Sequence, residues 1–293
     1  MGTGVRARVG GVGAGGQPSR AVSAWLLLAC LVPLHALALP RVVLDAGHGG
    51  LQDGASGVKQ KEKELTLQVT RRVMKALAGR AEVILTRDQD VDLKLAQRVS
   101  LSNQSRADVF VSIHANSMPT RRARARTHGV ETYFLSLQAS GEQASRTAAK
   151  ENGDEGLGVR SEAGDALSFI LEDLARQGAH QDASRLAESV HTRLVEATGA
   201  ADRGVHQAPF FVLAGVEAPA ILVEIGYLTH PEEGVRLASA EYQEKVARAL
   251  ADGVLAFLAK VAERDARPGV REASGTASRS ATGSAAARSD AAP

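Results

Sequence analysis

The chain has 293 residues, 44% of them hydrophobic but only 3% aromatic, so it can bury a sizeable core built mainly from aliphatic side chains. Its formal charge of +2 is set near the start, where Arg6, Arg8 and Arg20 precede any acidic residue; beyond residue 38 basic and acidic groups nearly balance. That balance excludes a nucleic-acid binder recognised by charge, and a single cysteine excludes a disulfide framework.

Residues 1–38 read as a secretion signal. A basic, glycine-rich segment ends at Arg20 and leads into the apolar Ala21–Leu34, centred on Trp25-Leu26-Leu27-Leu28. Ala36-Leu37-Ala38 then fits a small-x-small cleavage site. The apolar run is short and carries Pro33, so no permanent membrane span is expected. Cys30, following Leu27-Leu28-Ala29, leaves lipidation as an alternative. Once the signal is removed no thiol remains, and any metal centre must be built from His, Asp and Glu. The expected location is the cell envelope, periplasmic or extracellular.

Arg41–Leu44 is the first expected strand. It runs into Asp45-Ala46-Gly47-His48-Gly49-Gly50, where glycines on both sides let the chain turn sharply and leave an imidazole facing a cleft. After a glycine-bearing loop at Gly54–Gly57, a helix begins at Glu62 and runs to about Ala78. Leu65, Val69, Val73 and Leu77 fall four apart on one face of it. Ala81–Thr86 is a second strand, Leu93–Arg106 a second helix, and Asp108–Ile113 a third strand ending at His114. Thr120–Thr127 carries four arginines and reads as a solvated loop. Gly129–Leu137 is a further strand and Ser140–Gly164 a polar, glycine-bearing segment. Leu167, Ile170, Leu171 and Leu174 mark a short amphipathic helix, and Asp182–Ala197 a fuller one. Phe210–Leu213 and Ala220–Val223 are the last expected strands, the latter delivering Glu224. A helix from Glu241 to about Val261 closes the domain, and from Glu263 an Ala/Ser/Arg-rich tail is expected to be disordered. Alternation of helices with short apolar strands implies one α/β domain, residues 39–262, with a mostly parallel twisted sheet flanked by helices on both faces.

His48, His114 and Glu224 each stand at the end of an apolar strand, and parallel strands bring such ends to one edge. Glu62, opening the helix after the first loop, can lean over the same edge. Two imidazoles and a carboxylate make a three-donor set suited to catalytic zinc, and a second carboxylate can move protons beside it. No HExxH-type motif is present, so spacing alone does not select the ligands.

Four segments occur in order: Leu44-Asp45-Ala46-Gly47-His48-Gly49-Gly50, Glu62-Lys63-Glu64-Leu65-Thr66-Leu67, Ser112-Ile113-His114-Ala115-Asn116 and Val223-Glu224-Ile225-Gly226-Tyr227. Together, over about Arg41 to Val261, they resemble the zinc-dependent N-acetylmuramoyl-L-alanine amidases, the type 3 cell-wall amidase family. Thr86-Arg87-Asp88 and Leu95-x-x-Arg98 are similar to that family's intermediate segments. The resemblance implies a peptidoglycan hydrolase that cleaves the amide between N-acetylmuramic acid and L-alanine with zinc-activated water. It implies zinc held by His48, Glu62 and His114, with Glu224 as the catalytic carboxylate; Glu64 is the alternative to Glu62. Asp45 is expected either to orient a zinc-bound imidazole or to cap the strand end, and Arg87 and Arg98 to form structural pairs. Ala46, Tyr227 and His230 depart from the family's usual residues without removing a ligand.

Residues 140–180 resemble the regulatory insertion of division-associated amidases. A helix over 165–177 is expected to cover the cleft, with Glu172 or Asp173 approaching the metal until an activator protein displaces it. Two alternatives stay open: a zinc carboxypeptidase acting on wall peptides, with the arginine-rich segment holding a substrate carboxylate, and a non-catalytic wall-binding protein.

Overall fold

The computed structural model describes residues 38–153 and 177–266. Six strands form one sheet in the order β2-β1-β3-β6-β4-β5. They are β1 (Arg41–Ala46), β2 (Glu82–Leu85), β3 (Val109–Asn116), β4 (Val130–Leu135), β5 (Asp202–Ala208) and β6 (Ala220–Tyr227). Every neighbouring pair is parallel except β4 with β6, so β4 and β5 run against the other four. The helices are α1 (Glu62–Leu77), α2 (Leu95–Gln104), α3 (Arg121–Arg124), α4 (Glu142–Gly153), α5 (Gln177–Thr198), α6 (Glu233–Leu237) and α7 (Ala240–Ala266). This is the mostly parallel α/β sheet expected from the alternating pattern.

Alternate residues of each central strand enter different cores. Val42 and Leu44 pack with α1, α5 and α7, whereas Val43, Phe110 and Leu222 pack with α4 and the segment Phe210–Val216 on the opposite face. A sheet covered on both faces needs strands that are apolar throughout, which is how β1, β3 and β6 read. On α1 the stripe of Leu65, Val69, Val73 and Leu77 is fully buried. Each such side chain contributes at most about 1.5–3 kcal/mol relative to exposure. The start of α1 is set by Glu64, whose Oε2 accepts from the Lys61 backbone N–H at 3.3 Å. Acidic residues in the first turn also suit the positive end of the helix dipole.

Several elements differ from the sequence expectation. Phe210–Leu213 is not a strand: Phe211–Gly215 forms turns, and Phe210, Val212 and Leu213 are apolar because they cap the second core. The strand at that edge is instead β5, whose polar, half-buried residues carry little apolar signal. Within the polar stretch after Ser140 lies α4, a helix of 12 residues. The arginine-rich segment contains the short α3, whose three arginines are exposed. At the end of the domain α7 continues to Ala266, past the expected boundary at Glu263. The amphipathic segment Leu167–Leu174, with Glu172 and Asp173, lies outside the described residues.

Candidate metal centre

The end of β1 and the turn that follows it are locked by buried charge. Asp45, fully buried, accepts from Thr86 Oγ1 (2.6 Å), Ser112 Oγ (2.6 Å) and Arg98 Nη1 (2.7 Å). Burial alone would raise its carboxyl, but the Arg98 charge and these hydrogen bonds hold it below the ordinary carboxylate range. Arg98 also donates to the carbonyls of Ala46 (2.7 Å) and His48 (2.9 Å), and Arg87 to those of Ala46 (2.9 Å) and Gly47 (2.8 Å). Two guanidinium groups therefore clamp three consecutive carbonyls of the turn that presents His48. Of the two roles expected for Asp45, its contacts match the strand-end anchor.

That turn is conformationally special. His48 has φ of 59°, in the left-handed region, where histidine is tolerated but uncommon. Gly47 lets the His114 ring pack against the backbone: a Cβ there would lie 2.5–2.7 Å from three ring atoms. At Gly54 a Cβ would meet both the His48 ring and Glu62 Oε2, at 2.6 and 2.7 Å. The cluster is thus built at distances that only glycine backbone permits.

His48, Glu62 and His114 meet at one point, joined there by Glu151 from α4. Glu62 Oε1 is 3.0 Å from His48 Nε2 and 3.1 Å from His114 Nδ1. Glu151 Oε2 is 3.2 Å from His48 Nε2 and 3.0 Å from His114 Nδ1. Ligands about 2.0–2.1 Å from a tetrahedral zinc stand about 3.3 Å from one another. Four of the six edges of this cluster are therefore close to the separations that such an ion imposes, and the donor set fits it. Glu62 is oriented from both sides: its Oε2 accepts from Ala55 N at 2.7 Å and its Oε1 from Ala115 N at 3.0 Å. Glu64 is exposed and points elsewhere, which decides between the two acids of the α1 start.

Electrostatics follow from the packing of four buried titratable groups against one another. Burial opposes ionisation of Glu62 and Glu151, but the imidazoles and Lys150 outweigh it and hold both well below the ordinary carboxylate range. Burial would also lower His114, yet the adjacent Glu151 and Glu62 push it up to about 9. Lys150 Nζ lies 2.8 Å from Glu151 Oε1 and 3.7 Å from Glu62 Oε2.

Glu224 sits beside this cluster, on β6 directly opposite His114 of β3. It is fully buried, and neither of its carboxylate oxygens has a hydrogen-bond partner among the described residues. Burial and the negative Glu151 raise its carboxyl well above the ordinary range. A buried carboxyl without a partner is costly to ionise and suited to holding a proton.

Glu151 was not among the residues picked from the sequence. Its signal lay in the spacing of Ala144, Thr147, Ala148 and Glu151, the buried face of α4; small residues made that stripe faint. The next residue secures the helix end: Asn152 Nδ2 donates to the Pro209 carbonyl at 2.7 Å, and its Oδ1 accepts from Phe211 N at 2.8 Å. The cavity that His48, His114 and Glu151 line has a volume of about 20 Å³, room for about one water.

Residues 42–256 match the family model for N-acetylmuramoyl-L-alanine amidase. The chain is 32% identical over 221 residues to the amidase AmiA of Escherichia coli strain K12, covering 74% of this chain and 75% of that protein. It is 31% identical over 223 residues to AmiC of Escherichia coli O6:H1, but covers 52% of it, about half that relative's length. Among solved structures, the amidase AmiC2 of Nostoc punctiforme superposes with a TM-score of 0.55 at 32% identity, covering 75% of this chain and 97% of that one.

Proposed function

The chain belongs to the N-acetylmuramoyl-L-alanine amidase family, and on that footing we propose that it hydrolyses the amide joining the lactyl group of N-acetylmuramic acid to L-alanine of the peptidoglycan stem peptide. The observation that carries this reading is the meeting of His48, Glu62 and His114 beside the buried, unpartnered Glu224.

His48, Glu62 and His114 would hold zinc. Two imidazoles and a carboxylate are a donor set of hydrolytic zinc sites, whereas magnesium and calcium favour oxygen alone. Such an ion supplies Lewis acidity, acidifying water and polarising the scissile carbonyl. Glu224 takes the proton of the attacking water as the new C–O bond forms, and returns it to the amide nitrogen as the C–N bond breaks. General acid–base assistance of this kind is worth roughly 10²–10⁴ in rate.

Glu151 gives the reading its regulatory half. Catalytic zinc sites keep one position open, and sites with four protein donors are closed. The cluster with Glu151 in place is therefore a resting arrangement, and hydrolysis requires its withdrawal, the step an activator protein would drive. The sequence reading gave this role to Glu172 or Asp173 on a 165–177 helix; we assign it to Glu151. We place the protein in the cell envelope after removal of residues 1–38. No described helix is long and apolar enough to cross a membrane.

The test joins metal analysis of the purified protein to mass spectrometry of its products from purified peptidoglycan. Zinc near one equivalent and intact stem peptides with a free L-alanine amino group are expected. Single amino acids would identify a carboxypeptidase, and absence of any product from both the metal-loaded wild type and its Glu151→Ala variant would leave only a wall-binding role.

A further inference from the structure

A second cavity, of about 390 Å³, opens next to the metal cluster between α4 and the loop that follows β3. Its inner end is tied to the cluster: Ala55 lines it and donates its N–H to Glu62, and Lys150 lines it while lying 3.7 Å from the same carboxylate. From there the groove runs outward past Arg146, one helical turn before Lys150, and past Arg124 at the end of α3. Asn116 and Thr229 line it as well, and no acidic side chain does.

The two arginines are held differently, and both remain available. Arg124 uses Nε to donate to the Met118 carbonyl at 2.7 Å, which fixes its stem; its terminal nitrogens meet no partner among the described residues. Arg146 pairs only with Glu142, one turn back on the exposed face of α4. Such a solvent-exposed pair is worth little and exchanges readily for another carboxylate. Lys150 is committed to Glu151 and Glu62, so the two arginines, leading away from a hydrolytic centre along a groove with no acidic lining residue, form the track for a negatively charged chain.

Building on the amidase reading, we infer that this groove binds the leaving side of the substrate, with Arg124 and Arg146 recognising free carboxylates on the stem peptide beyond L-alanine. An extended peptide advances about 3.3 Å per residue, and one helical turn spans about 5.4 Å. Two stem residues beyond L-alanine therefore span about the one helical turn that separates Lys150 from Arg146, which brings their carboxylates past both arginines of the groove. Arg124 and Arg146 are then specificity residues that distinguish acid-bearing stem peptides from those whose carboxylates are amidated.

The experiment compares two soluble muropeptides that differ only in whether those carboxylates are free or amidated, using full-length, zinc-loaded protein and the Arg124→Gln/Arg146→Gln double variant. Wild type is expected to prefer the free acid by roughly fivefold to thirtyfold in kcat/KM, as two partly solvated charge pairs supply. In the double variant the preference falls to within twofold, the loss lies in KM rather than kcat, and added salt erodes the wild-type preference but not the variant's. Equal use of both substrates by wild type, or an undiminished preference in the variant, would overturn the groove assignment while leaving the amidase reading intact. Cleavage of neither substrate, whether by zinc-loaded wild type or by the zinc-loaded Glu151→Ala variant, would remove the amidase reading itself and this inference with it.

Discussion

Glu151 Oε2 stands 3.0 Å from Nδ1 of His114, at the distance from that imidazole that a fourth ligand of a shared ion would take. On the proposed reading, a glutamate from α4 fills the position that hydrolysis needs open. Replacement of Glu151 by alanine should raise hydrolysis of purified peptidoglycan by about tenfold, equivalent to about 1.4 kcal/mol, while weakening metal affinity. Dye-release from labelled peptidoglycan, with zinc held in excess, measures the first effect, and chelator competition the second. A folded, zinc-loaded variant no faster than wild type would remove Glu151 from any regulatory role.

Glu224 lies outside the group of four donors, so its loss should spare the metal. Glu224→Gln keeps the shape but cannot take up a proton, and kcat should fall by roughly 10²–10⁴ with zinc stoichiometry unchanged. Full activity in this variant would exclude the proton-transfer role.

Metal uptake should depend on pH through His114. With its folded pKa raised to about 9, the imidazole is protonated at neutral pH in the metal-free protein, and an entering ion must displace that proton. Apparent zinc affinity should therefore climb about tenfold per pH unit up to about pH 9 and level off above it. Titration against a chromophoric chelator from pH 6 to pH 10 reads the slope directly.

Asp45 governs acid stability. Its folded pKa lies below the unfolded value of about 3.9, so the ionised group stabilises the fold above that value, and the contribution disappears as pH falls through the folded pKa. Asp45→Asn leaves the buried Arg98 without its counter-charge, a loss of about 3–5 kcal/mol at pH 7 and roughly 10 °C in Tm. The gap between variant and wild type should narrow on acidification below pH 4, as thermal scans in a pH series would record.

What the sequence made legible follows the physics of burial. β1, β3 and β6 are apolar along their whole length because both faces of the sheet are covered, and each runs into a polar residue or turn at the edge where chemistry is placed. His48, His114 and Glu224 stood out for that reason. The Glu-Lys pair and the Leu65/Leu67 spacing, matched to the family the chain resembles, favour Glu62 and keep Glu64 as the alternative; in the fold only Glu62 reaches the backbone N–H groups of Ala55 and Ala115. β5 escaped notice because an edge strand with residues such as Asp202, Arg203 and Gln207 lacks the apolar run that marks the centre of a sheet. Glu151 escaped for a related reason. The buried face of α4 is made of Ala144, Thr147 and Ala148, and the sequence Lys150-Glu151-Asn152-Gly153 around its end reads as solvated loop.

If Glu151 closes the site as proposed, Asn152 adds a threshold to its release. Its side-chain amide grips the chain at Pro209 and Phe211 through two hydrogen bonds, each worth about 0.5–1.5 kcal/mol net. Any motion that carries Glu151 out of the cluster together with the end of α4 has to release both. The two bonds add roughly 1–3 kcal/mol to what the contacts of Glu151 with His48, His114 and Lys150 already supply. They so make the withdrawn state rarer by a further factor of about 5 to about 150 until binding energy elsewhere on the domain offsets them.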